Sequence, residues 1–470
     1  MVLSEESVLC TSRHGSSRPP TGAPASRAAG HKARASVLLL LFLLLFASAQ
    51  AEVAFDSSFE SGNATGFVQT GPTAYDFTFE PDTNSSDRQW FAFDVSGAAG
   101  MTLTFRLTQT NLSNVPGHWN TALPVASKDG GATWEFVTGS ASNTSTTYTF
   151  SHTFTASPER IAFHFPYTWS YLVSRVAEWE QHPHVTREII GQSVGGRAIL
   201  LLHITNPEAV PAGGKKVFWF VTRQHAAEVT GSYLLDGLME QLLADDETGR
   251  ALRDGAEFFV APMLNPDGVV AGNYRDNQAG VNLNRVWNNP SASTSPEVLA
   301  VTNRIDAWMA AGNRIDYFAD LHSTSGASPH FAFHASSAIQ PALYPTPATY
   351  SADSKAFLAL LEEENPGFDA AKGSSGDTSE KLARQWITFK YGVFAFTFEG
   401  GYNKVNHGPN ASARITPQDH RDVGRALARA LVRRFDLQPA ERADAWLVPG
   451  GGPKVGAQLA TPRGETATME

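Results

Sequence analysis

The stretch KVFWFVTRQHAAEVTGSYLLDGLMEQLL, Lys216 to Leu243, decides the fold. Its opening is an unbroken apolar run, which suits a strand buried on both faces, and its end, from Tyr233 to Leu243, reads as a helix. A strand followed by a helix is the repeating unit of a parallel sheet. Between the two stand His225 and Glu228, separated only by Ala226 and Ala227, where such a strand would end.

The same grammar runs downstream. Continuous apolar runs ("ILLLHI", "EFFVAPML", "IDYFADL", "FAFTFE") alternate with helical stretches such as Val298 to Met309. This predicts an α/β domain over residues 170–437, with a mixed, largely parallel sheet flanked by helices. Upstream the pattern differs. From residue 53 to 166 short pieces ("QWFAFDVSG", "MTLTFRLTQ", "TTYTFSHTF", "RIAFHFPY") alternate apolar and polar residues between turn clusters such as "SKDGGATW". Period-two runs at that spacing predict an antiparallel β-sandwich domain. Residues 438–470, rich in Ala, Gly and Pro with scattered charge, read as a flexible tail.

Residues 1–51 read as a signal peptide: five basic residues precede the apolar run Val37 to Phe46, and either Ala49-Gln50-Ala51 or Ala47-Ser48-Ala49 supplies a small-x-small cleavage site. The run is too short for a membrane span, so none is expected after cleavage. Localisation is therefore expected to be secreted or periplasmic. The leader holds five basic and two acidic residues, so its loss takes the formal net charge from -10 to -13. An acidic surface of that kind argues against nucleic acid as a partner. The single cysteine, Cys10, leaves with the leader, so an exported chain would depend on packing or metal and not on disulfides. Sequons stand at Asn63, Asn84, Asn111, Asn143 and Asn410. The sequence specifies no oligomeric state.

In open α/β sheets, ligands bind beyond the carboxyl ends of the strands. His225 and Glu228 follow one predicted strand, "NPDG" and then Arg275 follow another, His322 ends a third, and Glu399 ends a fourth. Two histidines and a carboxylate form the donor set of a catalytic zinc, with one coordination position left open. A three-residue offset at a helix start would put His225 and Glu228 on one face, and His322 would complete the set. Glu399, at the end of an apolar strand, fits a general base that later acts as acid. Arg275, Asn284 and Arg285 suit an oxyanion and a carboxylate.

These residues resemble the zinc carboxypeptidases of the M14 type, and within them the cytosolic carboxypeptidase-like branch. The likeness covers HxxE at His225 and Glu228, "NPDG", "NYR", "LNR", "DLHS" at Asp320 to Ser323 and "FTFEG" at Phe396 to Gly400, in family order. Upstream, "FDSSFESGN", "PDTN", "QWFAFDVSG" and "FPYTWSYL" resemble the sandwich domain that precedes the catalytic domain in that branch.

The resemblance implies one Zn2+ ion held by His225, Glu228 and His322, Glu399 as general base, and Arg275 polarising the scissile carbonyl. Asn284 and Arg285 would hold the terminal carboxylate of a peptide or protein substrate. Asp320 could stand behind His322, or its place on the strand could turn it away.

Two departures stand out. Many members carry a loop tyrosine upstream of the catalytic glutamate, but "AAKGSSGDTSEKLARQW" has none, so no residue takes that role. The usual "DLNR" reads "NLNR", with Asn282 first. The region between residues 370 and 386 should line the specificity pocket. Lys372, Lys381 and Arg384 there suit a C-terminal glutamate, while Asp377 and Glu380 would favour a basic residue. The leading expectation is an exported zinc metallocarboxypeptidase. Its alternatives are a zinc deacylase or amidase acting on acylated amino acids or cell-wall peptides, and an inert binding protein on the same scaffold.

Overall fold

The computed structural model describes residues 52–83, 89–108, 119, 122–144, 146–324, 328–402, 407–409 and 413–440. The expected leader, the sequons at Asn84, Asn111 and Asn410, and the tail from residue 441 lie outside the described residues. Among those described, no helix is long and apolar enough to cross a membrane.

The N-terminal part is two facing sheets. One orders β1 (Ala54–Asp56), β4 (Ala92–Ser96), β10 (Glu159–Ala162), β6 (Val125–Ser127) and β7 (Glu135–Phe136); the other orders β2 (Thr65–Gly71), β3 (Ala74–Thr78), β5 (Thr102–Thr108), β9 (Thr147–Thr153) and β8 (Ala141–Asn143). Alternation places Phe77, Phe93, Phe105, Tyr148 and Phe150 in the core between them. The expectation of antiparallel strands meets one exception, because β3 and β5 pair in parallel, Ala74 beside Thr104. Between them the chain crosses to the other sheet to make β4, and so re-enters in the direction it left.

The second part is an eight-stranded sheet ordered β11 (Val185–Gln192), β12 (Ala198–Ile204), β14 (Ala256–Ala261), β13 (Lys216–Thr222), β15 (Tyr317–Ser323), β18 (Phe394–Gly400), β16 (Phe331–Ala335) and β17 (Ser374–Ser375). Its centre, β14-β13-β15-β18, is parallel, and antiparallel pairings lie on either side. Strand alternation explains the two cores: Phe218 and Phe220 point to one face, Val217, Trp219 and Val221 to the other. Helices Val229–Leu242, Tyr350–Glu364 and Pro417–Phe435 cover the first face; Pro296–Ala310 and Ala383–Tyr391 cover the second.

Helices Val229–Leu242 and Pro417–Phe435 touch through Gly237 and Gly424. A β-carbon on Gly424 would stand 2.0 Å from the Leu234 carbonyl oxygen, so only glycine permits that approach.

The two parts share a core. Trp90, Ala92, Val125 and Ala162, on the outer face of one sandwich sheet, pack into the same cluster as Leu172 and Tyr233. Polar contacts reinforce the join: Ser61 N–H and Oγ donate to Val270 O (3.0 Å) and Val269 O (2.7 Å), and Asn63 Nδ2 donates to Gly272 O (2.9 Å).

Candidate functional site

Parallel strands β13, β15 and β18 end side by side, and their register sets His322 directly opposite Glu399. Both side chains therefore leave the same face of the sheet. His225 sits in the turn after β13, and Glu228 is the N-cap residue of helix Val229–Leu242. The expected pairing of these two on one helical face is thus a turn before the helix begins. That turn is tightly held. Arg223, buried and at φ 58°, donates from Nη1 to Tyr167 O (2.9 Å) and from Nε to Ala226 O (3.1 Å), so the guanidinium supports a backbone conformation that its own residue type disfavours.

Nδ1 of His225 lies 2.7 Å from Glu228 Oε1, Nδ1 of His322 lies 2.6 Å from Glu228 Oε2, and the two Nδ1 atoms are 3.2 Å apart. One donor atom from each of the three falls within 4.8 Å of the others, and all three residues are buried. Two imidazole nitrogens and a carboxylate converging on one point fit a zinc ion in donor type and spacing, with one side left open. The outer nitrogens are backed by protein. His322 Nε2 lies 2.8 Å from Asp320 Oδ2, so Asp320 faces the histidine and does not turn away; His225 Nε2 lies 3.0 Å from Asn282 Oδ1. Second contacts of this kind orient metal-ligating rings.

Burial disfavours charge on every group here, and the partners decide the outcome. Burial pulls His225 down to about 4 against the attraction of Glu228. For His322 burial is outweighed by the carboxylates of Asp320 and Glu228, which hold it well above the usual histidine value. Burial would raise Glu228, but the two histidines keep it well below the ordinary carboxylate range. Glu399 is pushed up to about 8 by burial; the pull of His322 is opposed by the nearby carboxylates of Glu228 and Asp320. A cation at the centre would favour its ionised form.

These groups line one cavity of about 450 Å3 with Tyr274, Arg275, Asn284, Arg285, Asp377, Arg384 and Gln385. Nη1 of Arg275 lies 3.8 Å from Glu228 Oε1. The Asn284 amide is partly committed: its Oδ1 accepts Ala383 N–H at 3.0 Å, and its Nδ2 lies 3.2 Å from His322 Nε2. Arg285 is exposed, with Nη1 donating to Asn284 O.

Of the three cations considered for the specificity pocket, only Arg384 lines the cavity. It is 5% exposed, its Nε has no hydrogen-bond partner among the described residues, and burial lowers its pKa. Lys372 instead stacks 4.8 Å above Phe331 and donates to Ser328 Oγ. Asp377 also lines the cavity, whereas Glu380 does not.

Sequence reasoning missed Asp82. Its carboxylate, from the sandwich, accepts the backbone N–H groups of Tyr274 (2.8 Å), Arg275 (2.6 Å) and Asp276 (2.7 Å), which fixes the loop that presents Arg275. Only its place in "PDTN" marked it.

The family model described as "Zinc carboxypeptidase" matches residues 176–413, and "Cytosolic carboxypeptidase N-terminal domain" matches 55–164. Among named relatives, cytosolic carboxypeptidase 6 of Mus musculus is 26% identical, over 82% of this chain and 73% of its own. A metallo-carboxypeptidase structure from Burkholderia cenocepacia aligns with a TM-score of 0.73 at 28% identity, covering 82% of this chain and 99% of that one. A metallo-carboxypeptidase from Pseudomonas aeruginosa, solved with (2-guanidinoethylmercapto)succinic acid, gives 0.71 at 27%, with coverage of 82% and 99%.

Proposed function

The chain belongs to the zinc carboxypeptidase family and is a metallocarboxypeptidase, and from that premise we propose that it is exported and removes C-terminal glutamate from peptides or proteins. The observation that carries the substrate reading is Arg384, a buried cation that lines the cavity with its Nε unpartnered among the described residues. A buried guanidinium gains most from a carboxylate that it can grip through two N–H groups.

His225, Glu228 and His322 would hold one zinc. When bound, zinc supplies Lewis acidity, lowering the pKa of water and polarising a carbonyl. Glu399, level with His322, would take the proton of the attacking water and deliver it to the leaving amine. Arg275 would donate to the oxygen on which charge develops, in a position held by Asp82. Asn284 Nδ2 and Arg285 would bind the terminal carboxylate, and Arg384 the side-chain carboxylate. His225, Glu228 and His322 are buried, so charge at their centre acts more strongly than it would in solution.

Mature protein incubated with peptides ending in glutamate, lysine, phenylalanine and alanine, followed by mass, tests this. Glutamate should be released fastest, and Arg384→Met should remove that preference, on the order of 10- to 150-fold for a charge-assisted contact. A wild type that prefers lysine would assign the pocket to Asp377 and overturn the glutamate reading. Export rests on residues 1–51 of the sequence. Protein recovered outside the cytoplasm should begin at Gln50 or Glu52; an intact Met1 terminus in the cytoplasm would overturn it.

A further inference from the structure

The two imidazoles of the centre are backed by different chemistry. His322 faces the carboxylate of Asp320, whereas His225 faces the amide of Asn282. The amide is not free to turn over. Its Oδ1 also accepts the backbone N–H of Asn284, 3.1 Å away, because Asn282 caps the short turn Leu283–Arg285. With the oxygen toward the ring, Nε2 of His225 must carry the proton, and Nδ1 keeps its lone pair facing Glu228.

Asn282 thus performs half of what Asp320 does. It selects the tautomer and holds the ring, but a neutral amide draws less on the N–H than a carboxylate and leaves the imidazole a weaker donor. The formal charges agree. Glu228, Asp320 and an ionised Glu399 carry three negative charges, a divalent ion and Arg275 three positive ones, and a further carboxylate at position 282 would make the centre negative. That charge would sit two residues from Asn284 and three from Arg285, which the proposed function assigns to the substrate's carboxylate.

We propose that Asn282 is a positioning residue that fixes His225 for the metal while keeping the centre electrically neutral, trading metal affinity for acceptance of an anionic substrate. This rests on the reading of His225, Glu228 and His322 as the zinc site.

The test uses the full mature chain, stripped of metal and titrated with zinc against a chromophoric chelator. Wild type should bind one zinc. Asn282→Asp should bind it more tightly, by about tenfold or more, and Asn282→Ala more loosely by a similar factor. The opposite signs matter, because a purely structural role would weaken binding in both variants. In turnover of a glutamate-ended peptide, Asn282→Asp should raise KM by a larger factor than it lowers kcat. If wild type binds no zinc, the centre itself is misread and this inference falls with it. If wild type binds one zinc but Asn282→Asp binds no tighter, the zinc site stands and the role of Asn282 is overturned. An unchanged KM in a tighter-binding Asn282→Asp overturns the trade.

Discussion

Two regions of this protein bury histidines side by side, and only one of them can do chemistry. In the candidate centre His225 and His322 have ring centroids 4.8 Å apart, with Glu228 between their Nδ1 atoms and Asp320 behind one ring. Against helix Pro417–Phe435, His330 Nε2 lies 2.7 Å from His420 Nδ1, ring centroids 4.9 Å apart, and His164 lies 6.4 Å from His420 in turn. No carboxylate bonds to those rings among the described residues. Asp419, which faces His330, is committed to Thr416 at the helix cap. Burial accordingly takes His164 and His330 down to about 4 and His420 well below its usual value. Here the imidazoles that converge with a carboxylate could hold a metal ion, whereas those without one are kept neutral by burial.

The largest contrast should come from removing one histidine from each region. His322→Ala should lose bound zinc and all turnover, whereas His330→Gln, which keeps a hydrogen-bonding partner for His420, should retain one zinc and near-normal kcat. Equal losses in both would break the comparison. Glu399→Gln sharpens it by separating acid from metal: turnover should fall about 10²- to 10⁴-fold while zinc content stays at one per chain. Next in size is Asp320→Asn, which makes the backing of His322 resemble that of His225. Zinc affinity should drop about 10- to 100-fold by chelator competition.

The smallest effect is on stability. A histidine whose folded pKa lies near 4, below the unfolded value of about 6.5, resists charging in the fold, so stability is complete above about pH 6.5 and falls as pH drops toward 4. With chelator present throughout, the melting temperature of wild type should fall more steeply over that window than that of His330→Gln. Parallel curves would remove His330 from the cause. The charges facing this cluster, Asp419 and Arg421, are unchanged in the variant and so cancel in the difference.

Much of this was legible in the sequence because strands buried on both faces read as continuous apolar text. "KVFWFVT", "IDYFADL" and "FAFTFE" announced three of the parallel strands, and the residues that end or follow them supplied the candidate donor set and base. Less legible was whatever depends on where a side chain turns. Lys372 and Arg384 look alike as candidates on paper, yet one lies over Phe331 and the other lines the cavity. Asp320 could be placed only once its strand was seen to continue through His322, since residues two apart in a strand share a face. Asp82 gave no chemical signal, because its partners are backbone N–H groups 192 to 194 residues away.

That last contact bears on how the enzyme comes into being. Synthesis delivers the sandwich first, and N-terminal units generally fold first as the chain emerges. If the sandwich folds as it emerges, the carboxylate of Asp82 stands in place before the residues it grips have been made. The loop carrying Arg275 would be cast against an existing mould, and a catalytic half expressed by itself would have to find that shape unaided.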